Sequence, residues 1–217
     1  QHVDERTQVA AKQRGLEDNL ARIGKLVGKD APGAMLSPIH GQEWGYRHRA
    51  RFSARFVEKK GGALVGFRER RSTYVADMAA CEVLPPRVSA LIAPLRGLVS
   101  GLSIRERLPQ IEVAVGAEVV VLVVRNLAPL TASDEAALRA FADVHGVQFW
   151  LQPAGPASAR PFHPLDAPPL YYTLREHRLR LYFAPTDFTQ VNHAVNEILV
   201  RRALALLAPR PGERVLD

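Results

Sequence analysis

The sequence predicts an α+β fold with mixed, mostly antiparallel sheets and flanking helices. Some segments alternate apolar and polar residues, as strands do, while others repeat apolar residues every three or four positions, as helices do. The predicted strands come mostly in adjacent pairs separated by short turns, and such pairs favour antiparallel neighbours. After an N-terminal helix, the predicted order is ββ, α, ββ, α, β, ββ, α.

The composition is that of a globular protein with one large domain or two small ones. Of the 217 residues, 47% are hydrophobic, which is enough to form a core. The longest apolar stretch, residues 117–124, contains a glutamate and is too short to cross a bilayer, so no membrane partner is expected. The single cysteine, Cys81, excludes an internal disulfide framework and is typical of a reducing, cytoplasmic setting.

The net charge permits an anionic partner. Lys and Arg number 29 against 22 Asp and Glu, which gives a net charge of +7. Such a balance is compatible with nucleic acid or a membrane surface but does not require either, because many basic domains bind nothing charged.

The first predicted elements are a helix and a strand hairpin. Residues 7–27 form a helix in this interpretation because Leu16, Leu20, Ile23 and Val27 recur at helical spacing. Residues 46–57 alternate with period two, and Gly61-Gly62 turns the chain into a second strand over 63–68. A short third strand is predicted over 73–77.

The central segments are a proline-started helix and a buried strand pair. Pro85-Pro86 opens the helix, and Pro94 is expected to kink it. Residues 111–115 and 118–124 are strands, and the second is nearly all valine and leucine, which predicts burial on both faces.

The last third of the chain is predicted from capping signals and the same two periods. A helix begins at Thr131 and ends at Gly146. A strand is predicted over 147–151 and a loop over 153–169. A strand pair over 170–174 and 179–183 follows, and then a final helix over 191–207.

The strand over 46–57 carries the strongest chemical signal. One face of it presents four guanidiniums, those of Arg47, Arg49, Arg51 and Arg55. Like charges two residues apart repel, and a phosphate backbone would relieve that repulsion while accepting bidentate hydrogen bonds. The alternative is a solvated face paired with acidic residues such as Glu58 or Glu69.

Two further segments are weak signals by themselves. A lone cysteine such as Cys81 is more often a small buried hydrophobe than a metal ligand or nucleophile. Residues 187–192 contain Asp, Thr and Asn just before the final helix, and these are ordinary helix-capping types.

Six ordered blocks of the chain together resemble the RNA (uracil-5-)-methyltransferases, most closely the branch that acts on 23S rRNA. The blocks are WGYRHRARFS (44–53), VGFRER (65–70), VADMAACEVLP (75–85), QFWLQP (148–153), PTDFTQVN (185–192) and PGERVLD (211–217). The resemblance implies an S-adenosylmethionine-dependent enzyme, monomeric as a full-length chain, that forms 5-methyluridine in RNA after extruding the target base. It also implies an OB-like RNA-binding domain, a central domain with a 4Fe-4S cluster, and a Rossmann-like methyltransferase domain whose cysteine attacks the uracil.

The resemblance assigns roles to individual residues. Cys81 matches the last of four cluster cysteines, and Gln190 matches a glutamine that contacts S-adenosylmethionine. Phe188 matches an aromatic residue that reaches the RNA near the extruded base, and Arg51 matches an arginine that faces the RNA. Residues 215–217 match the start of the first methyltransferase motif, and by themselves they are predicted to begin a buried strand after a loop.

The resemblance also implies domain boundaries and limits the activity that is expected of this chain by itself. Residues 1–32 are expected to pack on the methyltransferase domain, 33–186 to form the central domain, and 187–217 to begin the methyltransferase domain, truncated. Because the nucleophilic cysteine and three cluster cysteines are lacking, this fragment is expected neither to methylate RNA nor to hold an intact cluster. The competing interpretations are a non-catalytic RNA-binding domain, an enzyme of the tRNA branch, and a basic domain whose partner is another protein.

Overall fold

The computed structural model describes residues 3–26 and 35–215, and it contains two compact units. One unit combines Gln1–Glu43 with Ala194–Asp217, and the other is Trp44–His193. The domain boundaries predicted after residues 32 and 186 stay predictions. None of the helices in the described part of the chain is long and apolar enough to cross a membrane.

A six-stranded sheet forms the centre of the larger unit, with the strand order β2-β1-β3-β4-β5-β6. Only β4 and β5 run parallel; the other four neighbouring pairs are antiparallel. The strands are β1 Arg49–Val57, β2 Gly62–Gly66, β3 Gln110–Val115, β4 Val120–Arg125, β5 Val147–Leu151 and β6 Arg160–His163. A separate hairpin pairs β7 Tyr171–Leu174 with β8 Leu179–Tyr182. The predicted mixed, mostly antiparallel α+β fold is confirmed.

The helices are α1 Glu5–Arg22, α2 Pro86–Ser89, α3 Ile92–Gly101, α4 Ala132–His145 and α5 His193–Leu207. Helices α2, α3 and α4 contribute Val88, Leu95 and Leu138 to the main core, which lies on one face of the sheet. The other face is covered at its centre by a smaller apolar cluster that includes Leu170, next to β7. Helices α1 and α5 have no buried residue.

Strand β4 is buried on both faces, as predicted. Leu122 and Val124 belong to the main core, while Val121 and Val123 belong to the cluster around Leu170. A strand covered on both sides has no position for a polar side chain, which explains its run of valine and leucine.

The signals at the two ends of helix α4 are confirmed. Thr131 is the N-cap residue and forms a capping box with Asp134, and Gly146 ends the helix in the left-handed conformation at a φ of 60°. The Asp134 carboxylate also accepts hydrogen bonds from the backbone N–H (2.7 Å) and hydroxyl of Ser103 (2.5 Å). One carboxylate therefore fixes the start of α4 and the segment that follows α3.

We expect Asp134→Asn to lower the free energy of unfolding by about 2 kcal/mol at neutral pH. Burial alone would raise the pKa of this carboxyl, but hydrogen bonds from Ser103 and Thr131 outweigh burial and lower the pKa to about 2. A carboxyl with a lowered pKa stabilises the fold above its unfolded pKa, and that contribution disappears as the pH falls from about 4 to about 2. Urea unfolding at several pH values measures both effects.

The matched control for this carboxylate is Glu135→Gln, one residue along the same helical turn, where Glu135 is paired only with Arg139 at the surface. We expect a loss below about 0.5 kcal/mol there. Equal losses from the two variants would contradict the role given to Asp134.

The helix predicted from Pro85 onward is two helices, which corrects the expectation of a single kinked one. Helix α2 has proline in its first turn and ends at Ser89, and α3 begins at Ile92. Pro94 is then the third residue of α3, where a backbone N–H has no intrahelical partner in any case. The chain therefore starts a new helix before the proline instead of bending around it.

The loop predicted over 153–169 contains a strand, which is a second correction. Strand β6, Arg160–His163, pairs with β5 at the edge of the sheet. Its Pro161 lacks a backbone donor, and an edge strand tolerates this because one side of it needs no partner. In place of the third strand predicted over 73–77, a single bridge joins Arg68 and Val75.

Two predictions fall partly outside the described residues. The helix predicted over 7–27 ends earlier, at Arg22, and Val27 lies outside the described residues. Leu216 and Asp217 of the predicted terminal strand lie outside them as well. Val215, the first residue of that strand, is exposed and not in a strand.

Candidate nucleic-acid interface

The alternation predicted for the arginine strand is confirmed. Along β1, Ala50, Phe52 and Ala54 are buried in the core, while Arg51 and Arg55 are exposed on the opposite face. The strand begins at Arg49. The strand predicted over 46–57 therefore starts three residues later than expected, and Arg47 is not part of it. The Arg47 guanidinium lies over the ring of Phe67, with 5.6 Å from its Cζ to the ring centroid.

One carboxylate lies among these arginines. Glu112 of β3 is directly opposite Arg51, and its Oε1 lies 3.0 Å from a terminal nitrogen of the Arg51 guanidinium. The Glu112 Oε2 is 4.0 Å from Arg49. The Arg51 side chain still has 68% of its surface exposed. Glu112 therefore lies near two guanidiniums, and its single negative charge neutralises only one of their two positive charges. Among the described residues, no carboxylate pairs with Arg55.

Arg49 differs from its neighbours because only 16% of its side chain is exposed. Its guanidinium donates to the backbone carbonyls of Pro185, at 2.7 Å, and Asp187. Burial lowers its pKa, which Glu112 and Asp187 partly oppose, and an arginine remains protonated at neutral pH. Arg49 therefore holds a loop that is far away in sequence.

The held loop is a tight turn closed by Asp187. The Asp187 N–H donates to the carbonyl of Ala184 at 2.9 Å, and the Ala184 N–H donates to the Asp187 carboxylate at 2.7 Å. Helix α5 begins later, at His193, so the Asp187 side chain stabilises this turn and not the helix. The turn is followed by Phe188, which is 85% exposed, and by Gln190, which is also exposed.

Three stacked rings fix the far end of this loop. His193 stacks on His48 with 4.1 Å between centroids, and the centroid of the Tyr172 ring lies 5.0 Å from that of His193. The backbone N–H of His48 also donates to the carbonyl of Val191 at 2.8 Å. Burial, with the adjacent His48, lowers the pKa of His193 to about 4, so His193 is neutral at pH 7.

The geometry therefore brings Arg51, Phe188 and Gln190 to one end of β1. Both ends of the loop are attached there, by Arg49 and by His48, while Phe188 between them is left in solvent. An exposed aromatic ring on a loop at the end of an arginine-bearing strand can stack on a base of single-stranded nucleic acid, while exposed guanidiniums contact its phosphates. Sequence reasoning missed His48, Tyr172 and His193, because nothing local marks residues that stack across the fold.

Cys81 lies in the segment before α2. It is half-buried against the main core, and its backbone N–H donates to the Ser89 hydroxyl at 2.8 Å. Within residues 3–26 and 35–215, no group of three His, Cys, Asp or Glu side chains is placed to hold a metal ion. A 4Fe-4S cluster needs four ligands, so the single thiol of this chain does not provide a complete site.

Comparison with known proteins identifies relatives over the whole length of the chain. It is 63% identical over all 217 residues to the 23S rRNA (uracil(1939)-C(5))-methyltransferase RlmD of Burkholderia pseudomallei strain 1710b, and covers 46% of that protein. It is also 63% identical to the RlmD protein of Nitrosospira multiformis, of which it covers 48%. The predicted resemblance to the RNA (uracil-5-)-methyltransferases is confirmed. The chain spans about half the length of these curated relatives. No family model matches it.

A solved structure shares the fold. The tRNA (uracil-54, C5)-methyltransferase of Pyrococcus abyssi, in complex with S-adenosyl-L-homocysteine, aligns with a TM-score of 0.50 at 17% identity. The alignment covers 76% of this chain and 42% of that one. Among the RNA (uracil-5-)-methyltransferases, the α+β arrangement is thus present in a protein of low sequence identity.

Proposed function

We propose that this chain is the central part of an S-adenosylmethionine-dependent enzyme that forms 5-methyluridine in 23S rRNA in the cytoplasm. The observation that carries the proposal is the 63% identity over all 217 residues to proteins named RlmD. The exposed Arg51, Arg55 and Phe188 support an RNA-binding role for this part of the protein. In this proposal the full-length enzyme is a monomer.

The division of labour follows the predicted domains. Residues 33–186 form the central RNA-binding domain, while 1–32 pack on the methyltransferase domain and 187–217 begin it. This domain arrangement is supported by the exposed apolar side chains on both terminal helices, among them Leu16 (52% exposed) and Leu206 (64%). Such side chains gain stability when a further domain covers them.

In the proposed reaction, this chain binds and orients the RNA. Arg51 and Arg55 contact backbone phosphates, with Arg47 and Arg49 beside them, and Phe188 contacts the bases next to the one that is extruded. S-adenosylmethionine supplies the methyl group when bound. Gln190 would contact that cofactor, and its exposed amide makes no hydrogen bond within the described part of the chain.

The cluster assigned by the resemblance would need ligands from outside this chain. Cys81 would supply one thiolate of four, and the chain contains no second cysteine. The methyl transfer proposed above involves no step at the cluster.

Methyl transfer from labelled S-adenosylmethionine to a 23S rRNA segment tests the proposed function. We expect the longer protein that contains this chain to form 5-methyluridine, and the 217-residue chain alone to bind the RNA without methylating it. Formation of 5-methyluridine only in tRNA would contradict the 23S rRNA assignment. Activity of the chain alone would contradict the need for a further domain.

The role of Gln190 has its own readout in the longer protein. Gln190→Ala is expected to raise the KM for S-adenosylmethionine about tenfold, the effect of one lost hydrogen bond, and to leave RNA affinity unchanged. The matched control is Gln13→Ala, since Gln13 lies on α1 and bonds only to Glu17. An unchanged KM in Gln190→Ala would remove Gln190 from the cofactor site.

A further inference from the structure

A second cluster of arginines surrounds a cavity at the opposite end of β1 from Phe188. The cavity has a volume of about 420 Å³. Its polar lining comes from β1, from the segment after β2 and from the turn before β3: Ser53, Arg55, Arg68, Thr73, Arg105 and Glu106. Residues so far apart in sequence meet only in the folded chain.

The positive charge of this cavity is not neutralised. None of the guanidiniums of Arg55, Arg68 and Arg105 has an ion pair among the residues that the structure describes. The one carboxylate in the lining, that of Glu106, is itself exposed and leaves an excess of two positive charges in the lining. Unpaired guanidiniums around a concave surface attract an anion.

Two of the three arginines are held in place by neutral groups. The Arg68 Nε donates to the Ser53 hydroxyl at 3.1 Å. The Arg105 guanidinium lies 4.6 Å from the centroid of the Phe56 ring, and its Nε is buried without a hydrogen-bond partner. These contacts orient the two side chains without neutralising their charge. The guanidinium N–H donors are therefore preorganised for an anionic ligand.

We propose that this cavity binds a backbone phosphate of the RNA, and the proposal rests on the proposed function. Guanidinium and hydroxyl groups offer donors to an acceptor-only group such as phosphate. Phe56 offers no free ring face to a base on the side that Arg105 covers. The seven residues from Arg49 to Arg55 span about 20 Å of strand, since the six steps between them are about 3.3 Å each. The RNA would therefore be attached at both ends of β1, by Phe188 and by the cavity, with Arg51 between them.

The test is a double-mutant cycle on the binding of a single-stranded RNA to the full 217-residue chain, measured by fluorescence anisotropy across a series of salt concentrations. We expect Arg68→Gln and Arg105→Gln each to weaken binding about fivefold and to reduce the salt slope by about 0.7. The double variant is expected to be little weaker than either single one, because both side chains hold the same phosphate. The pair Arg51→Gln and Arg105→Gln is expected to be additive.

Two further variants keep the outcome interpretable. Arg55→Gln removes one positive charge from an exposed position of the lining. The loss of RNA affinity in this variant therefore reports on the charge and not on a change in packing. Arg139→Gln removes one charge on α4, where Arg139 pairs with Glu135, and is expected to bind RNA as the unchanged chain does.

The possible results separate this inference from the proposed function. If the unchanged chain binds RNA and the cavity variants match Arg139→Gln, the cavity proposal is overturned and the proposed RNA-binding role stands. If the unchanged chain fails to bind RNA even at low salt, both are overturned. If Arg105→Gln loses binding of inorganic phosphate but not of RNA, the cavity serves a free anion, and the proposal is again overturned.

Discussion

Charge reversal of Arg51 together with Arg55 is expected to weaken binding of single-stranded RNA about 100-fold. Each lost charge-assisted contact to a phosphate accounts for about 1.4 kcal/mol, and two such losses multiply to that factor. The slope of log K against log salt should fall by about 1.4, because two phosphates are no longer neutralised. Both side chains are exposed, so the substitutions act at the surface.

The choice of Arg51 and Arg55 follows from the surroundings of the four arginines. Arg49 holds the loop that carries Phe188, so reversing the charge of Arg49 would change the position of that loop as well as the electrostatic potential of the surface. Arg47 lies over Phe67 and has a buried, unpartnered Nε. The alternation in the sequence treats Arg49 and Arg51 alike, whereas the structure separates the arginine that holds a loop from those that face solvent.

The control is a double reversal at the other side of the same sheet, Arg139→Glu with Arg160→Glu. It changes the net charge by the same amount, and both of these side chains are exposed. Arg160 begins β6, and the Arg139 guanidinium lies over the ring of Phe162 in the same strand. Strands β3, β4 and β5 separate β6 from β1, which corresponds to about 19 Å.

This control separates local charge from total charge. We expect a loss of RNA affinity below about threefold at a salt concentration of about 0.1 M, since exposed charges farther apart than the Debye length of about 10 Å are largely screened. If both double variants bound RNA equally weakly, total charge would explain binding, and the arginine face would have no special role. Thermal unfolding of each variant shows whether Arg51→Glu, which places a second carboxylate opposite Glu112, has destabilised the sheet.

Local patterns in the sequence predicted the parts of the fold that local physics decides. The period of two places Phe52 in the core and Arg51 in solvent, because successive residues of any strand point to opposite faces. The ends of α4 were predictable from Thr131 and Gly146, because a cap acts within a few residues of itself. The arginine face was therefore predicted as a face before any tertiary contact was known.

Contacts between distant segments left no such signal. The cavity depends on Arg68 and Arg105 meeting β1. Arg105 lies in none of the six blocks that carry the resemblance, and the block that contains Arg68 does not show which segments Arg68 meets in the fold. The attachment of the 184–187 turn to Arg49 is of the same kind, since it joins a side chain to backbone carbonyls that every sequence has. Strand β6 was missed because Pro161 is a poor strand former except at a sheet edge, and the sequence does not reveal which strand is at the edge.

Replacing Arg49 with methionine is expected to release the turn that carries Phe188. The variant loses two hydrogen bonds from a charged donor to the carbonyls of Pro185 and Asp187, and such bonds contribute about 1.5–3 kcal/mol each. Even the lower end of that range, about 3 kcal/mol for the two bonds together, predicts that hydrogen exchange at the amides of Ala184 and Asp187, which close the turn, becomes about 100-fold faster or more. Exchange in the centre of the sheet, for example at Leu122, should not change.

Arg51→Met is the matched control for this release, because Arg51 contacts the same Glu112 but no carbonyl of the turn. We expect it to leave exchange at Ala184 and Asp187 unchanged. Equal acceleration in both variants would show that the charge balance around Glu112, and not the contacts to the carbonyls, holds the turn.

The salt dependence of RNA binding then separates two roles for Arg49. If Arg49 acts only by positioning Phe188, Arg49→Met weakens RNA binding with an unchanged salt slope, because no phosphate contact is lost. If Arg49 also contacts a phosphate directly, the slope falls by about 0.7 as well. Its 16% exposure and its two carbonyl partners favour the first result, so we expect weaker binding with the slope of the unchanged chain. A lower slope together with unchanged exchange at Asp187 would reverse that assignment and make Arg49 an RNA contact like Arg51.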